Sequence, residues 1–458
     1  MKKIAFLIIT LFLVSGCTVV GPDFSPPHTD TPIDWQTDED IFVENMDRWW
    51  EKLGDKNLNL LVEKAIKQNK NIMIAAAQNE GFMAKLGVAN ASFFPQINAE
   101  GTTTKEKSSN AISTTYGVGL GMSQFEIDFW GKYKRASESA KAMLLASRYN
   151  RELVRSSTIT NIVSTYNTIL TAQKLLKNAK DNYLLLEEIT SIFKTKLEQG
   201  VGSNSDVLQS EALLEQTYSD IPAREAKIST LENALAFLVG EAPGSVKVTE
   251  STQWSKDIEV PAGIPSELLE RRPDILSAEA SWRATNATIG IAESGYFPSF
   301  SLTGLLGFQS TELSSLLNGS SQIWQVTPAV SLPIFTAGRT KSEINLAKAQ
   351  TKEAKTQYEQ TLLRAFGEVD NALRDRKSIK MSRKYLENAQ EKYKLAEKMS
   401  LFEYDNGKTG YLSVLLVRQS LVSNESHMIV NDDSKYLNFI ALCKALGGGW
   451  ERFKTDSK

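Results

Sequence analysis

The sequence predicts a mainly α-helical fold with a membrane β part, built as two tandem repeats. Three observations predict it: long stretches without proline or glycine, short stretches in which apolar and small residues alternate, and self-similarity at a spacing of about 205 residues. The first is typical of long helices and the second of strands with two different faces. Because the similarity holds at one spacing, the two halves of the chain are expected to share one fold.

Composition limits what the chain does. Of 458 residues, 52 are Lys or Arg and 54 are Asp or Glu, so the net charge is −2 and gives no electrostatic basis for binding nucleic acid. Two histidines and two cysteines are few for metal ligation, acid–base relays or disulfides. We therefore expect no cofactor, no metal and no enzymatic activity. Cys443 lies in an apolar stretch and is expected in the core.

The first 16 residues have the anatomy of a secretory signal peptide. Two lysines precede an apolar run over 4–14 that is too short to span a bilayer, and Val-Ser-Gly stands directly before Cys17. This order resembles the lipobox of bacterial lipoproteins, in which the cysteine is acylated and becomes the first residue. The alternative is an ordinary signal peptide that contains a cysteine. Thr18 stands where an Asp would indicate retention at the inner membrane, which favours the outer membrane.

The internal repeat is visible in pairs of segments. AKLGVANASFFPQINAEG at 84–101 corresponds to ATIGIAESGYFPSFSLTG at 287–304, an offset of 203, and Gly200 corresponds to Gly407, an offset of 207. The resulting division is a signal peptide at 1–16, an N-terminal segment at 17–55, repeat 1 at 56–243, a linker at 244–265, repeat 2 at 266–447 and a tail at 448–458.

Each repeat is expected to contain a pair of very long helices. Residues 132–199 contain neither proline nor glycine and would extend on the order of 100 Å as one helix. Apolar residues recur at every seventh position along it, which is typical of coiled-coil-like packing. The pairs are predicted at about 132–239 and about 338–446, and they reverse direction at Gly200 and Gly407.

Each repeat is also expected to contain a β-hairpin, at about 93–126 and about 296–335. The four strands have roughly 12 residues each, long enough to cross a bilayer when tilted. A sheet in hydrocarbon must close on itself, and four strands cannot close, so copies of the chain must combine. Two copies would supply 8 strands and three would supply 12. An 8-strand interior is filled by side chains, so three or more copies around an open lumen are favoured.

Five kinds of short motif are spread over nearly the whole chain: GPDFSPP at 21–27, WW at 49–50, ERRPDI at 270–275, FP at 94–95 and 297–298, and LPIFTAGR at 332–339. Together they resemble the outer-membrane factors of bacterial tripartite efflux pumps and secretion systems, specifically the lipoprotein branch associated with resistance-nodulation-division pumps. The resemblance implies a homotrimer with a 12-strand outer-membrane β-barrel, a periplasmic α-barrel and an equatorial girdle that includes 17–55 and 244–265. The implied function is a passive export duct.

The resemblance also implies partners and site residues. The partners would be a periplasmic membrane-fusion adaptor, an inner-membrane resistance-nodulation-division transporter and outer-membrane lipid. The adaptor is expected to dock on the two helix turns, which contain Gly200, Val201, Gly202, Gly407 and Gly410.

A periplasmic gate is expected on the helix after the second turn. Leu412 and Leu416 lie four residues apart and would form apolar rings on the trimer axis, with Arg418 latched to Asp405 or Asp206. Many relatives carry Asp where this chain has Leu416, which here favours a hydrophobic gate over a charge-gated one. Alternatively, the two leucines are ordinary contacts between helices.

The ERRPDI motif leaves two interpretations open. Arg271 and Arg272 precede Pro273 and Asp274 at a predicted helix start, where the arginines would either pair with acidic residues of the girdle or stay solvated. For the whole chain, the second function class is a surface-anchored adhesive coiled coil, with a periplasmic enzyme a distant third. A coiled-coil stalk would not need two bilayer-length hairpins.

Overall fold

The computed structural model describes residues 19–26, 46–108, 111–249 and 271–450. Cys17, most of the predicted linker and much of the N-terminal segment lie outside these residues. The elements, in chain order, are α1 (Lys56–Gln68), α2 (Lys70–Ala91), β1 (Ile97–Ser108), β2 (Ala111–Ile127), α3 (Lys132–Glu198), α4 (Asn204–Val239), α5 (Pro273–Glu293), β3 (Ser299–Ser310), β4 (Gln322–Ser331), α6 (Arg339–Asp405) and α7 (Leu412–Ala445).

The long helices α3 and α6 have 67 residues each. Gly367 does not interrupt α6, and α4 continues through Pro222. Within the described part of the chain, no helix combines the length with the apolarity needed to cross a bilayer.

The described residues cluster into two compact units. The first contains the sheet and consists of 19–26, 77–108, 111–149 and 275–361; the second consists of 46–76, 150–249, 271–274 and 362–450.

In the first unit, all four strands form one antiparallel sheet in the order β1-β2-β3-β4. The two hairpins are therefore joined through β2 and β3, where Gly119 lies opposite Gly307. A Cβ at Gly119 would lie 2.7 Å from the carbonyl oxygen of Leu306, so the close approach of these strands requires glycine. Strands β1 and β3 begin just after Pro95 and Pro298, because proline cannot continue the preceding helix.

The sheet has two chemically different faces, since residues paired across a ladder share a face. One face is apolar and includes Val118, Leu120, Leu306, Phe308, Trp324 and Val326. The other is mostly polar or small, with Leu305 and Ile323 as exceptions, and includes Asn98, Glu100, Thr102, Gly117, Gly119, Gly121, Thr303 and Gln325. Large apolar side chains such as Trp324 are exposed on the single chain, so the first face lacks the cover that a single soluble chain would need.

The N-terminal segment 19–26 is fixed to the first unit by a buried arginine. The Arg135 side chain is 4% exposed; it bonds the carbonyl oxygens of Val20 (3.1 Å) and Gly21 (2.9 Å) and the carboxylate of Asp23 (2.8 Å). A Cβ at Gly21 would lie 2.4 Å from the Cα of Gly290, and Gly21 has a φ of +92°. Only glycine meets both requirements at this crossing.

In the second unit, the end of α7 packs against the two consecutive tryptophans of the WW motif. Trp49 and Trp50 are almost fully buried, and the Trp49 ring lies edge-on to Phe439 at 5.8 Å. Cys443 is fully buried, as predicted. Burial raises the pKa of its thiol, which keeps the sulfur protonated and unreactive.

Candidate functional site at the two helix turns

The first turn reverses the chain between α3 and α4. Gly200 has a φ of +75°; its N–H donates to Leu197 (2.9 Å), and the N–H of Val201 donates to Lys196 (3.0 Å). These two bonds satisfy the free carbonyls at the end of the helix in the manner of a glycine C-cap. A Cβ at Gly202 would lie 2.6 Å from the backbone nitrogen of Leu197, so this position accepts no side chain without a shift.

The second turn, between α6 and α7, ends its helix in the same way. Gly407 has a φ of +68°; its N–H donates to Tyr404 (2.9 Å), and the N–H of Lys408 donates to Glu403 (2.9 Å). Around Gly410, by contrast, a Cβ would meet nothing within 4 Å. The two reversals therefore share the glycine cap but differ in how tightly the following residues pack.

The helices that leave the two turns start differently. The side chain of Ser203 accepts a hydrogen bond from the backbone N–H of Ser205 (3.2 Å) and caps α4. Tyr411, at the N-cap position of α7, makes no such cap. Its ring instead lies edge-on to Phe193 at 5.0 Å and to Tyr404 at 4.9 Å. The start of α7 is therefore held by side-chain packing.

Charged groups surround this aromatic cluster. Lys196 lies over the ring of Tyr404 at 4.6 Å and donates to its hydroxyl. Arg418 donates to Glu397 at 2.8 Å, and its Nη1 lies 3.4 Å from the Tyr411 hydroxyl. Burial raises the pKa of Tyr411, so its hydroxyl stays protonated at neutral pH. One network thus connects α3, α6 and α7.

The partner predicted for Arg418 was wrong. Its carboxylate partner is Glu397, not Asp405 or Asp206. Arg418 lies six residues beyond the first residue of α7, about 9 Å along the axis. In an antiparallel pair it therefore lies beside a residue well before the end of α6, whereas Asp405 is the last residue of that helix.

The two predicted gate leucines lie on an exposed face of α7. Leu412 is 47% exposed and Leu416 is 57% exposed, whereas Val414 and Leu415 are buried. Leu415 packs into a cluster with Leu186, Ile189, Phe193 and Val207. Within one chain, Leu415 thus packs between the helices, whereas Leu412 and Leu416 are not part of this buried cluster.

A family model described as "Outer membrane efflux protein" matches residues 61–241 and 264–448. The chain belongs to the outer membrane efflux protein family. The two matched segments lie close to the two repeats expected from the sequence, 56–243 and 266–447.

Relatives of this efflux protein match over almost their whole length. The cation efflux system protein CusC of Escherichia coli O6:H1 is 29% identical over 454 residues, with 96% of this chain and 97% of that protein covered. The probable outer membrane lipoprotein SilC of Salmonella typhimurium is 29% identical over 455 residues, with 96% and 97% covered. The solved structure of the outer-membrane channel OprN has a TM-score of 0.88 and 28% identity, with 94% of this chain and 99% of that chain covered.

These findings confirm the resemblance, the fold class and the function predicted from the sequence. The chain is the outer-membrane channel of an efflux system, mainly helical with a small β part. Membership in this family decides against the adhesive coiled coil.

The ERRPDI motif of the efflux channel has a structural role, which is to connect two helices. Arg272 is buried; it makes two bonds to Asp274 (3.0 and 2.7 Å), one to Glu368 (2.7 Å) and one to the carbonyl of Ala445 (3.1 Å). Burial alone would lower the pKa of Arg272, but the two carboxylates raise it above its ordinary value. The motif thus fixes the start of α5, at Pro273, to the end of α7.

The two arginines of the motif differ. The side chain of Arg271 is exposed, and its carbonyl accepts a hydrogen bond from the indole of Trp450 at 3.0 Å. Arg272 therefore pairs with acidic residues, but these are Asp274 of the motif itself and Glu368 of α6, which lie outside the segments assigned to the girdle; Arg271 is exposed to solvent.

Sequence reasoning missed Glu397, Tyr404 and Tyr411. A signal was present: Glu397 lies seven residues before Tyr404, and Arg418 lies seven residues after Tyr411. Positions placed symmetrically about a helix turn face each other in an antiparallel pair.

Proposed function

We propose that three copies of this chain form one export duct. In hydrocarbon, every backbone N–H and C=O of a spanning sheet must be paired. β1 and β4 are the outer strands of the described sheet, and each offers one edge to a neighbouring copy. Three copies supply 12 strands, enough for a barrel with a lumen. The face that contains Gly117, Gly119 and Gly121 lines the lumen, and the face that contains Trp324 contacts lipid.

In this proposal the duct also has a lipid anchor at Cys17. The name of the relative SilC, a probable outer membrane lipoprotein, supports it, as does the lipobox-like sequence. A Cys17→Ala variant should lose the acyl chains but remain in the outer membrane, because the strands are the main anchor. Complete loss of membrane localisation would contradict this division of roles.

The duct receives cargo from other proteins and performs no chemistry of its own. A periplasmic adaptor docks on the two turns, Gly200 to Gly202 and Gly407 to Gly410, and an inner-membrane resistance-nodulation-division transporter supplies the energy. Val201, at 75% exposed, offers an apolar contact at the tip of the first turn. Adaptor binding near Gly407 would reach the aromatic cluster directly.

The resting duct is closed by apolar rings of Leu412 and Leu416, one of each from every copy. Their exposure on a single chain is the observation that supports this gate, because apolar side chains left uncovered in one copy are covered when copies meet. The pair of Arg418 with Glu397, beside Tyr411, holds α7 in the closed position. Asp405, at the end of α6, belongs to the turn that must move.

Conductance across planar bilayers tests the gate. The wild type should conduct weakly, and Leu412→Ser/Leu416→Ser should conduct several-fold more. Leu208→Ser is the matched control, since Leu208 is also an exposed leucine, beside the first turn. If the double variant conducts no more than the wild type, the gate assignment fails.

A further inference from the structure

An open groove of about 430 Å³ lies in the first unit, next to the start of β3. Tyr296 and Phe297 form one wall. Lys341 and Lys348 of α6 form the other, above the buried side chain of Ile344. The network around Arg418 at the second turn contributes no residue to the lining of this groove.

In the proposed duct, the groove lies at the level where the sheet leaves the membrane. β3 begins at Ser299, two residues after Phe297. The Phe297 ring stacks on Trp130 at 4.7 Å, and the Trp130 indole donates to the carbonyl of Pro298 at 2.7 Å. Aromatic rings of this kind mark the boundary between hydrocarbon and headgroups. In that position, a lipid headgroup would reach the groove from the adjoining leaflet.

The lysine wall carries positive charge that the protein neutralises only in part. Lys341 is exposed and has no ion-pair partner among the residues the structure describes. Lys348 lies 3.5 Å from Glu293, with side chains 57% and 27% exposed, so this ion pair is weak and easily exchanged. Lys341, Asn345 and Lys348 follow at intervals of four and three residues and share one face of α6.

We propose that this groove binds the headgroup of an anionic phospholipid. The phosphate would lie between Lys341 and Lys348 and accept a hydrogen bond from the Asn345 amide, and the glycerol and upper acyl carbons would pack on Tyr296 and Phe297. Lysine stems that lie along apolar surface while their ammonium groups reach phosphate are favoured at membrane interfaces. The lipid proposed at Cys17 carries no phosphate and would not use the lysines.

Native mass spectrometry of the detergent-purified full-length protein tests the site. Phosphatidylglycerol and phosphatidylcholine with the same acyl chains would be titrated separately, and the bound fraction of each measured. The wild type should retain phosphatidylglycerol more strongly. Lys341→Gln/Lys348→Gln should weaken its binding by about fivefold per lysine and leave phosphatidylcholine unchanged.

Lys352→Gln is the matched control, because Lys352 is an exposed lysine one turn further along α6. Equal loss of phosphatidylglycerol in this control would overturn the site, as would unchanged binding in the double variant. Displacement of the lipid by inorganic phosphate at an equal concentration would show a phosphate site and not a lipid site. An unchanged thermal midpoint of the double variant would confirm that the loss does not come from unfolding.

Discussion

The two helix turns have the same backbone conformation at their glycine caps but differ in their side chains. Both end a 67-residue helix with a left-handed glycine, Gly200 or Gly407, and satisfy the same carbonyls. At the repeat offset of 207, however, Leu412 corresponds to Ser205 and Leu416 to Gln209. In the first turn these residues are polar and bond to each other, the Gln209 amide donating to Ser205 at 3.2 Å.

The difference indicates which turn is fixed and which one moves. The helix after the first turn begins with a side-chain cap from Ser203 and with a close backbone contact at Gly202. The helix after the second turn begins without a side-chain cap and depends on Tyr411 and Arg418. Both repeats retain the reversal of the chain. The proposed apolar gate, and the Arg418–Glu397 pair that holds it closed, are present only at the second turn.

The largest expected effect comes from removing the ion pair between Arg418 and Glu397. Arg418→Ala leaves Glu397 without its partner, and a charge-assisted hydrogen bond contributes about 1.5–3 kcal/mol. The ratio of open to closed channels in planar bilayers should therefore rise by a factor of about 10 to 100. Lys194→Ala removes a 2.7 Å ion pair with Glu211 beside the first turn and is the matched control. A similar rise in the control would remove the distinction between the turns.

The glycines after the caps should differ in tolerance. Gly202→Ala places a Cβ against backbone and should lower the free energy of unfolding by about 2 kcal/mol. Gly410→Ala has open space and should be neutral or slightly stabilising. Urea denaturation at a fixed protein concentration measures both. Equal destabilisation would mean that the second turn is as tightly packed as the first.

The caps provide a smaller contrast. Ser203→Ala removes the hydrogen bond to the Ser205 N–H and should cost about 1 kcal/mol in urea denaturation. Tyr411→Phe keeps the rings that contact Phe193 and Tyr404 and should cost less than about 0.5 kcal/mol. A larger loss for Tyr411→Phe than for Ser203→Ala would show that the hydroxyl, and not the ring, holds α7.

The smallest contrast is between the two left-handed glycines themselves. Gly200→Ala and Gly407→Ala each force a Cβ into positive φ without a steric clash, so each should cost about 1–2 kcal/mol. The difference between the two variants in thermal midpoint should be close to zero. Unequal costs would indicate that one turn carries strain that the other does not.

The sequence was informative wherever local chemistry sets the structure. Gly200 and Gly407 stand between long stretches of helix-forming residues, so they predict the turns, and the alternation around Gly119 predicts a strand with two faces. These features depend on neighbours in the chain. The same holds for the polar start of α4, where Ser203 is a common capping residue.

Contacts between distant segments could not be predicted in the same way. Arg135 binds Asp23, 112 residues away, and nothing near either residue indicates the other. The partner of Arg418 is an intermediate case: symmetry about the second turn indicates Glu397, but the contact also depends on how far α6 and α7 are offset along their axes. Burial of Arg272, with exposure of the adjacent Arg271, depends on the end of α7, 173 residues further on.

Cross-linking at Leu412 tests most directly whether identical chains meet at the second turn. Leu412→Cys introduces one accessible thiol, because Cys443 is fully buried and, in the proposed lipoprotein, the Cys17 thiol carries an acyl-bearing group. If three copies bring residue 412 to a common axis, mild oxidation should give covalent dimers beside free monomers on a non-reducing gel, and it should lower a conductance that reductant restores. Leu208→Cys should stay monomeric. Absence of Leu412→Cys dimers in membranes under oxidation would contradict the trimeric, second-turn gate.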